Sequence, residues 1–286
     1  MEPTKLRELW LEHGFRPEKA LGQNFLMDKN VRDKLIDAYS LEEDETVLEI
    51  GPGFGVMSFE AAKRCKRFYA VEKDRRIYSI MLPFFRDAEN MTVFNADILE
   101  TDICALAKDS GRIKVIGNIP YCISTPIMER LILQRKCIKS AFLVMQDELA
   151  VRIVSPPGSR DFGSISCYVQ YYTSIKKIFK ITGNCFFPKP IVDSCLVRID
   201  FPEEPSVRVK DEKLFFDIIH KAFSERRKQI VNPLSSDSFL GMDKRAWASL
   251  LEGCGVAPTS RAEGLSLPDY GRIADAVYEV IEKRNA

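Results

Sequence analysis

Histidine is scarce in this chain, with only His13 and His220 among 286 residues. None of its eight cysteines pair as Cys-x-x-Cys. A zinc site draws on clustered thiolates and imidazoles, so no metal site is expected. An excess of charge of one sign is also missing: 42 Lys and Arg stand against 41 Asp and Glu, a formal net charge of +1. That balance excludes a protein that is basic all over and confines any nucleic-acid contact to local patches. No apolar run reaches the roughly 18 residues a membrane span needs. The first 20 residues carry Glu2, Glu8, Glu12 and Glu18 in place of the apolar core of a secretory leader. Disulfide frameworks suit small secreted domains, so the thiols are expected to be reduced and the protein soluble and cytoplasmic.

What is present is a large apolar fraction, 45% of the residues, enough to fill a sizeable core. Short β-rich runs recur at Thr46–Gly51, Phe68–Glu72, Thr92–Asn95, Lys114–Gly117 and Ala141–Met145. Helical patterns fall between them, at Ser58–Cys65, Arg75–Phe85, Pro126–Arg135 and Glu148–Val154. Strands alternating with helices imply βαβ units and a mostly parallel sheet, an α/β fold. Two later runs, Ser164–Thr173 and Ser194–Phe201, read as an antiparallel pair at one sheet edge. Pro202-Glu203-Glu204-Pro205 reads as a linker. Beyond it Leu214, Phe215, Ile218, Ile219, Ala222 and Phe223 share one face at helical spacing. Further helices are expected over Asp243–Glu252 and Asp269–Lys283. The expected division is residues 1–205 for the α/β domain and 206–286 for a small all-helical one.

Candidate site residues gather at the predicted strand ends. Glu49-Ile50-Gly51-Pro52-Gly53-Phe54-Gly55 follows a strand and precedes a helix. Glycines there let the backbone turn sharply and come close to a ligand beyond the sheet's carboxyl edge. Glu72 ends the next strand, about 20 residues after Gly51, where a carboxylate can accept from ribose hydroxyls. Asp97 follows the third strand and suits an adenine amino group. These residues define a nucleoside-binding edge and leave NAD and S-adenosylmethionine (SAM) both open.

The fourth strand ends in Gly117-Asn118-Ile119-Pro120-Tyr121. An exocyclic adenine amine is a poor nucleophile because its lone pair is delocalised into the ring. The Asn118 side-chain oxygen and a backbone carbonyl near Ile119 can accept the amine hydrogens and stabilise developing charge. Pro120 stiffens the loop, and Tyr121 offers a face for a base drawn out of its stack. A second aromatic clamp is expected from Phe186, with Phe187 as the alternative. The chemistry requires no strong base and no metal.

With these motifs in order, the chain resembles the KsgA-type small-subunit rRNA adenine dimethyltransferases from about residue 20 onward. The motifs are Leu21-Gly22-Gln23-Asn24-Phe25-Leu26, Glu49–Gly53, Val71-Glu72, Asn118–Tyr121, Pro190-Ile191-Val192-Asp193-Ser194, Arg226-Arg227-Lys228 and Arg261–Ser266. The resemblance implies a class I SAM-dependent, Rossmann-like methyltransferase sheet with a helical C-terminal domain that recognises the ribosome. It implies SAM contacts at Asn24, Leu26, Gly51, Glu72, Asp97 and Asn118. It also implies dimethylation of two adjacent adenines near the 3′ end of 16S rRNA, supporting biogenesis of the small subunit. The pattern departs at Ile119, where the family more often has Leu, and at Cys122, where it often has Asn. The Ile form also occurs in erythromycin-resistance methylases of large-subunit rRNA.

Arg226, Arg227 and Lys228, read as late on a helix, are candidate phosphate contacts, and Lys176, Lys177, Lys180 and Lys189 add basic charge near the pocket. The expected partner is small-subunit rRNA within a pre-ribosomal particle, with no DNA, no membrane and a monomeric enzyme. The competing readings are a large-subunit rRNA methylase, a non-catalytic assembly factor on the same scaffold, a DNA adenine methyltransferase and a nicotinamide oxidoreductase.

Overall fold

A computed structural model of the chain describes residues 3–18 and 21–285. It divides into two compact units, one made of Met1–Ala150 and Ser174–Phe201, the other of Val151–Thr173 and Pro202–Ala286.

The first unit is built on a seven-stranded sheet. In chain order its strands, with two short ones outside it, are β1 (Phe25–Leu26), β2 (Thr46–Ile50), β3 (Arg67–Glu72), β4 (Met91–Asn95), β5 (Ile113–Asn118), β6 (Ile138–Gln146), β7 (Ser174–Ile181), β8 (Phe186–Phe187) and β9 (Ser194–Asp200). The sheet order is β4-β3-β2-β5-β6-β9-β7. The five strands from β4 to β6 run parallel, and β9 is antiparallel to both its neighbours. β2 is buried at every position, as a strand covered on both faces must be. The chain winds outward from β2 through β3 to β4, then returns to the other side of β2 at β5. That reversal opens a crevice at the carboxyl ends of β2 and β5, where open α/β sheets bind ligands.

Backbone closeness at this point explains one residue. Gly117 of β5 lies opposite Ile50, and a Cβ there would stand 2.8 Å from the Ile50 carbonyl oxygen. Neither backbone can yield without parting β2 from β5. Gly117→Ala is therefore expected to destabilise the protein by about 1–3 kcal/mol, the usual cost of overpacking, seen as a lower urea midpoint with unchanged slope.

Strands β1 and β8 pair separately, Phe25 with Phe187 and Leu26 with Phe186. The sheet-edge pair exists, but its outer member is β7, not Ser164–Thr173. The latter run forms the helix Ser164–Tyr172. A short apolar run has no periodicity that separates a strand from a buried helix. Here Tyr171 and Tyr172 pack on Phe215 and Phe216 of the helix Glu212–Phe223, and Tyr172 donates its hydroxyl proton to Glu212. This packing carries residues 151–173 into the second unit, away from the 1–205 domain expected for them. β7 shows no clear strand pattern in sequence because its lysines mask the apolar positions, a common dressing for an edge strand.

The second unit is otherwise helical: Glu212–Phe223, Val231–Ser235, Lys244–Gly253 and Leu267–Asn285. Asp211 and Asp243 cap two of these helices, accepting from Leu214 and Ala246. Their apolar faces meet around Phe215, Ile218, Trp247, Tyr270 and Ile273, all fully buried.

The cysteines depart from the fully reduced expectation. Cys104 and Cys137 form a disulfide, their Cα atoms 5.2 Å apart. Gln134 accepts from the backbone N–H of Ile103 at 2.7 Å. It thereby brings the turn Arg135–Cys137 against the helix Ile103–Ala107. Among the described residues, no helix is long and apolar enough to cross a membrane.

Candidate active site

A cavity of about 200 Å³ opens at the crevice. Gly51, Glu72, Asp97 and Asn118, each at or just beyond the end of a neighbouring parallel strand, all line it, as do Asn24 and Leu26.

Gly51 adopts φ +66°, and a Cβ on it would meet nothing within 4 Å. Its conformation requires glycine, while the space beside it is open for a ligand. Glu72 is the most consequential group. It is 7% exposed, and burial pushes its pKa up to about 7, against the backbone hydrogen bonds that favour the charged form. The backbone N–H groups of Asp74 and Gly53 donate to its two oxygens at 2.8 and 3.1 Å. Each oxygen has a second lone pair for a ligand hydroxyl.

Asp97 behaves differently. Burial raises its pKa, but hydrogen bonds from Lys73 at 2.7 Å and the Leu99 N–H at 2.9 Å outweigh that and hold it below the ordinary carboxylate value. It remains an anion throughout the neutral range. Asn118 donates its side-chain amide to the Asn24 carbonyl at 2.8 Å. With its nitrogen so held, its side-chain oxygen is left as the acceptor. Asn24 in turn donates to the Gly22 carbonyl at 3.0 Å. The segment around Asn24 is thus tied to the end of β5 by the same side chain that carries the chemistry.

The loop after Asn118 is firmly held. The Ile119 N–H donates to Val144 at 3.1 Å, the Pro120 carbonyl accepts from Ser124 at 3.1 Å, and the Tyr121 and Ser194 hydroxyls lie 2.5 Å apart. Ile119 is buried, while Pro120 and Tyr121 line the cavity with it. Burial pushes the Tyr121 phenol above its ordinary pKa, so the ring stays neutral.

Phe186 is a correction. It is 4% exposed and packs into the core, so it does not reach the cavity wall. Alternation along β8 turns its neighbour Phe187 outward, 47% exposed. Arg226, Arg227 and Lys228 also lie elsewhere than expected. They follow the helix Glu212–Phe223 in a turn. Arg226 is occupied by Glu263 at 3.1 Å and by the carbonyls of Arg160 and Phe162. Arg227 and Lys228 are exposed.

Several wall residues have no role that the sequence assigns. Phe54, inside the glycine motif, and Ile77 and Ile98 supply apolar surface, and each looks like ordinary core in sequence. Gln23 and Asp74 join at 2.8 Å across the rim. The only prior sign of Asp74 was its place two residues after Glu72.

A buried carboxylate at one strand end, an anion at the next, a glycine turn and an aromatic-amide loop define a class I methyltransferase whose nucleoside cofactor is SAM. Residues 14–278 match the family model described as Ribosomal RNA adenine dimethylase. The chain belongs to this family. It is 36% identical over 275 residues to "Ribosomal RNA small subunit methyltransferase A" of Clostridium botulinum, covering 96% of this chain and 99% of the relative. A protein of the same description from Pelotomaculum thermopropionicum is 37% identical over 283 residues, covering 96% of each. Among solved structures, the fold resembles a dimethyladenosine transferase from Plasmodium falciparum, with a TM-score of 0.76, 22% identity and coverage of 91% of this chain and 98% of that one. It also resembles the 23S rRNA methyltransferase ErmE, with a TM-score of 0.68, 22% identity and coverage of 89% and 99%.

Proposed function

We propose that this protein dimethylates N6 of two adjacent adenines near the 3′ end of 16S rRNA, acting as a cytoplasmic monomer on a maturing small ribosomal subunit. The observation that carries the proposal is the Asn118 side chain, held by its nitrogen on Asn24 with its oxygen left to accept. Relatives over nearly the whole chain favour the small subunit as substrate. The likeness to ErmE rests on 22% identity and concerns fold alone.

Gly51, Glu72, Asp97, Asn24 and Leu26 would hold SAM, with Glu72 accepting from the ribose and Asp97 from the adenine amine. SAM supplies an electrophilic methyl group. Asn118 accepts one hydrogen of the target amine, and a backbone carbonyl near Ile119 accepts the other. This draws the nitrogen towards a tetrahedral shape and frees its lone pair for attack. Tyr121, with its hydroxyl on Ser194, presents the ring on which the extruded base stacks. The methylated amine is strongly acidic, so its proton passes to solvent without a dedicated base. In the helical unit, Arg227 and Lys228 serve as phosphate contacts, while Arg226 braces the turn that carries them.

The decisive test incubates the enzyme with labelled SAM and isolated undermethylated small and large subunits. Label is expected in small-subunit adenines. Label confined to the large subunit would sink the proposal.

A further inference from the structure

Beside the cavity lies a loop that the mechanism above does not use. It runs from Phe187 to Ser194 and is fixed to the site at both ends. Phe187 pairs with Phe25, whose side chain lines the cavity. The Ser194 hydroxyl is bonded to Tyr121. Between these ends the loop is pinned again through Asp193. Its backbone carbonyl accepts from Asp147 N–H at 3.0 Å, its carboxylate accepts from Gly183 N–H at 3.0 Å, and Lys180 pairs with it at 2.9 Å. Pro188 and Pro190 restrict the backbone further.

This rigid support displays an apolar tip. Ile191 is 103% exposed, and Val192 beside it is 39% exposed. A mobile loop could hide such a side chain; a pinned one holds it in water. Lys189 is exposed at the same turn and makes no ion pair among the described residues. An apolar tip beside an exposed cation suits a base face next to a phosphate, and the loop's attachment at both ends to residues of the cavity wall makes the RNA that enters the cavity its occupant.

We propose that Ile191 is a wedge that fills the stacking vacancy left when the target adenine is drawn into the cavity. It acts as a positioning residue on the RNA next to that adenine, with Lys189 on the flanking phosphate. The inference rests on the adenine-methylation reading of the cavity. Extruding a base leaves its neighbour with one unstacked face, and that exposed face drives the base back. An apolar side chain seated there removes that drive, so the extruded state is more populated. The contact exists only after extrusion, so it acts on turnover more than on docking.

The test compares Ile191→Ser and Ile191→Leu with the unaltered enzyme on undermethylated small subunits, with SAM affinity measured by calorimetry. Ile191→Ser is expected to lower kcat roughly tenfold, in line with the stacking lost per base. KM for the subunit should move by less than about twofold, and SAM affinity and the thermal midpoint should not move. Ile191→Leu, which keeps the apolar bulk, should restore kcat. An unchanged kcat for Ile191→Ser overturns the wedge. So does a loss confined to KM, which would mark the loop as a docking contact with the particle. If the unaltered enzyme leaves the small subunit unlabelled, the functional reading fails first, and the inference with it.

Discussion

Replacing Asn118 with alanine is expected to lower methyl transfer by ~10²–10³-fold, the usual consequence of removing one preorganised acceptor or donor from a reacting centre. The side chain has two jobs, and both belong in the test. Its oxygen is the acceptor left for the target amine, while its nitrogen holds the Asn24 carbonyl at 2.8 Å. Asn118→Asp separates them, because it keeps an acceptor and loses the donor. A carboxylate would also repel the Asn24 carbonyl and loosen that segment. Asn118→Asp is therefore expected to fall between the unaltered enzyme and Asn118→Ala in kcat, and to weaken SAM binding more than Asn118→Ala does. Binding of the small subunit should survive in both. A near-normal single-turnover rate for Asn118→Ala would remove the mechanism proposed for the amine.

The strand ends that build this site were legible because each one breaks a local rule. Glu72 ends an apolar strand with a carboxylate, Gly51 starts a turn that needs positive φ, and Asn118 puts an amide at the end of an apolar strand, two residues before a proline. Such residues lie where chain geometry and ligand chemistry coincide, so periodicity and chemistry gave the same answer. Asn24 and Leu26 broke no such rule and came only from the family resemblance. Their place in the cavity depends on β1 pairing with β8, a contact spanning some 160 residues of chain. Phe186 and Phe187 could not be told apart for a related reason. Which of two neighbours in a strand faces inward is set by register, and a two-residue strand has too little pattern to reveal it. Arg226 differs again: its charge is plain in the sequence, but the Glu263 and the two carbonyls that engage it are set by tertiary packing.

Glu72 gives the site a dependence on pH whose sign follows from its burial. Burial lifts its pKa to about 7, above the ordinary carboxylate range. Below that value the empty site holds a neutral acid. A ribose hydroxyl donates best to a carboxylate, so SAM binding favours the ionised form and must draw the pKa down. SAM affinity is therefore expected to rise as pH increases through about 7 and then level off. Below the midpoint it should fall by up to about tenfold per pH unit, until the pKa of the bound state is reached. Proton release on binding near pH 6.5, read from calorimetry in buffers of different ionisation enthalpy, would be the direct sign. Asp97 cannot produce this profile, since Lys73 keeps it ionised far below that range. Glu49 is the rival, because burial lifts it to about 7 as well. It does not line the cavity, and Ser58 donates to it at 2.5 Å. Glu72→Gln distinguishes the two. It keeps a hydrogen-bond acceptor but cannot ionise, and it places an amide where two backbone N–H groups donate. It should weaken SAM binding by roughly ten- to a hundredfold at pH 8, the worth of a charge-assisted bond, and flatten the pH profile. A profile that keeps its slope in Glu72→Gln would transfer the proton to Glu49 and take Glu72 out of cofactor binding.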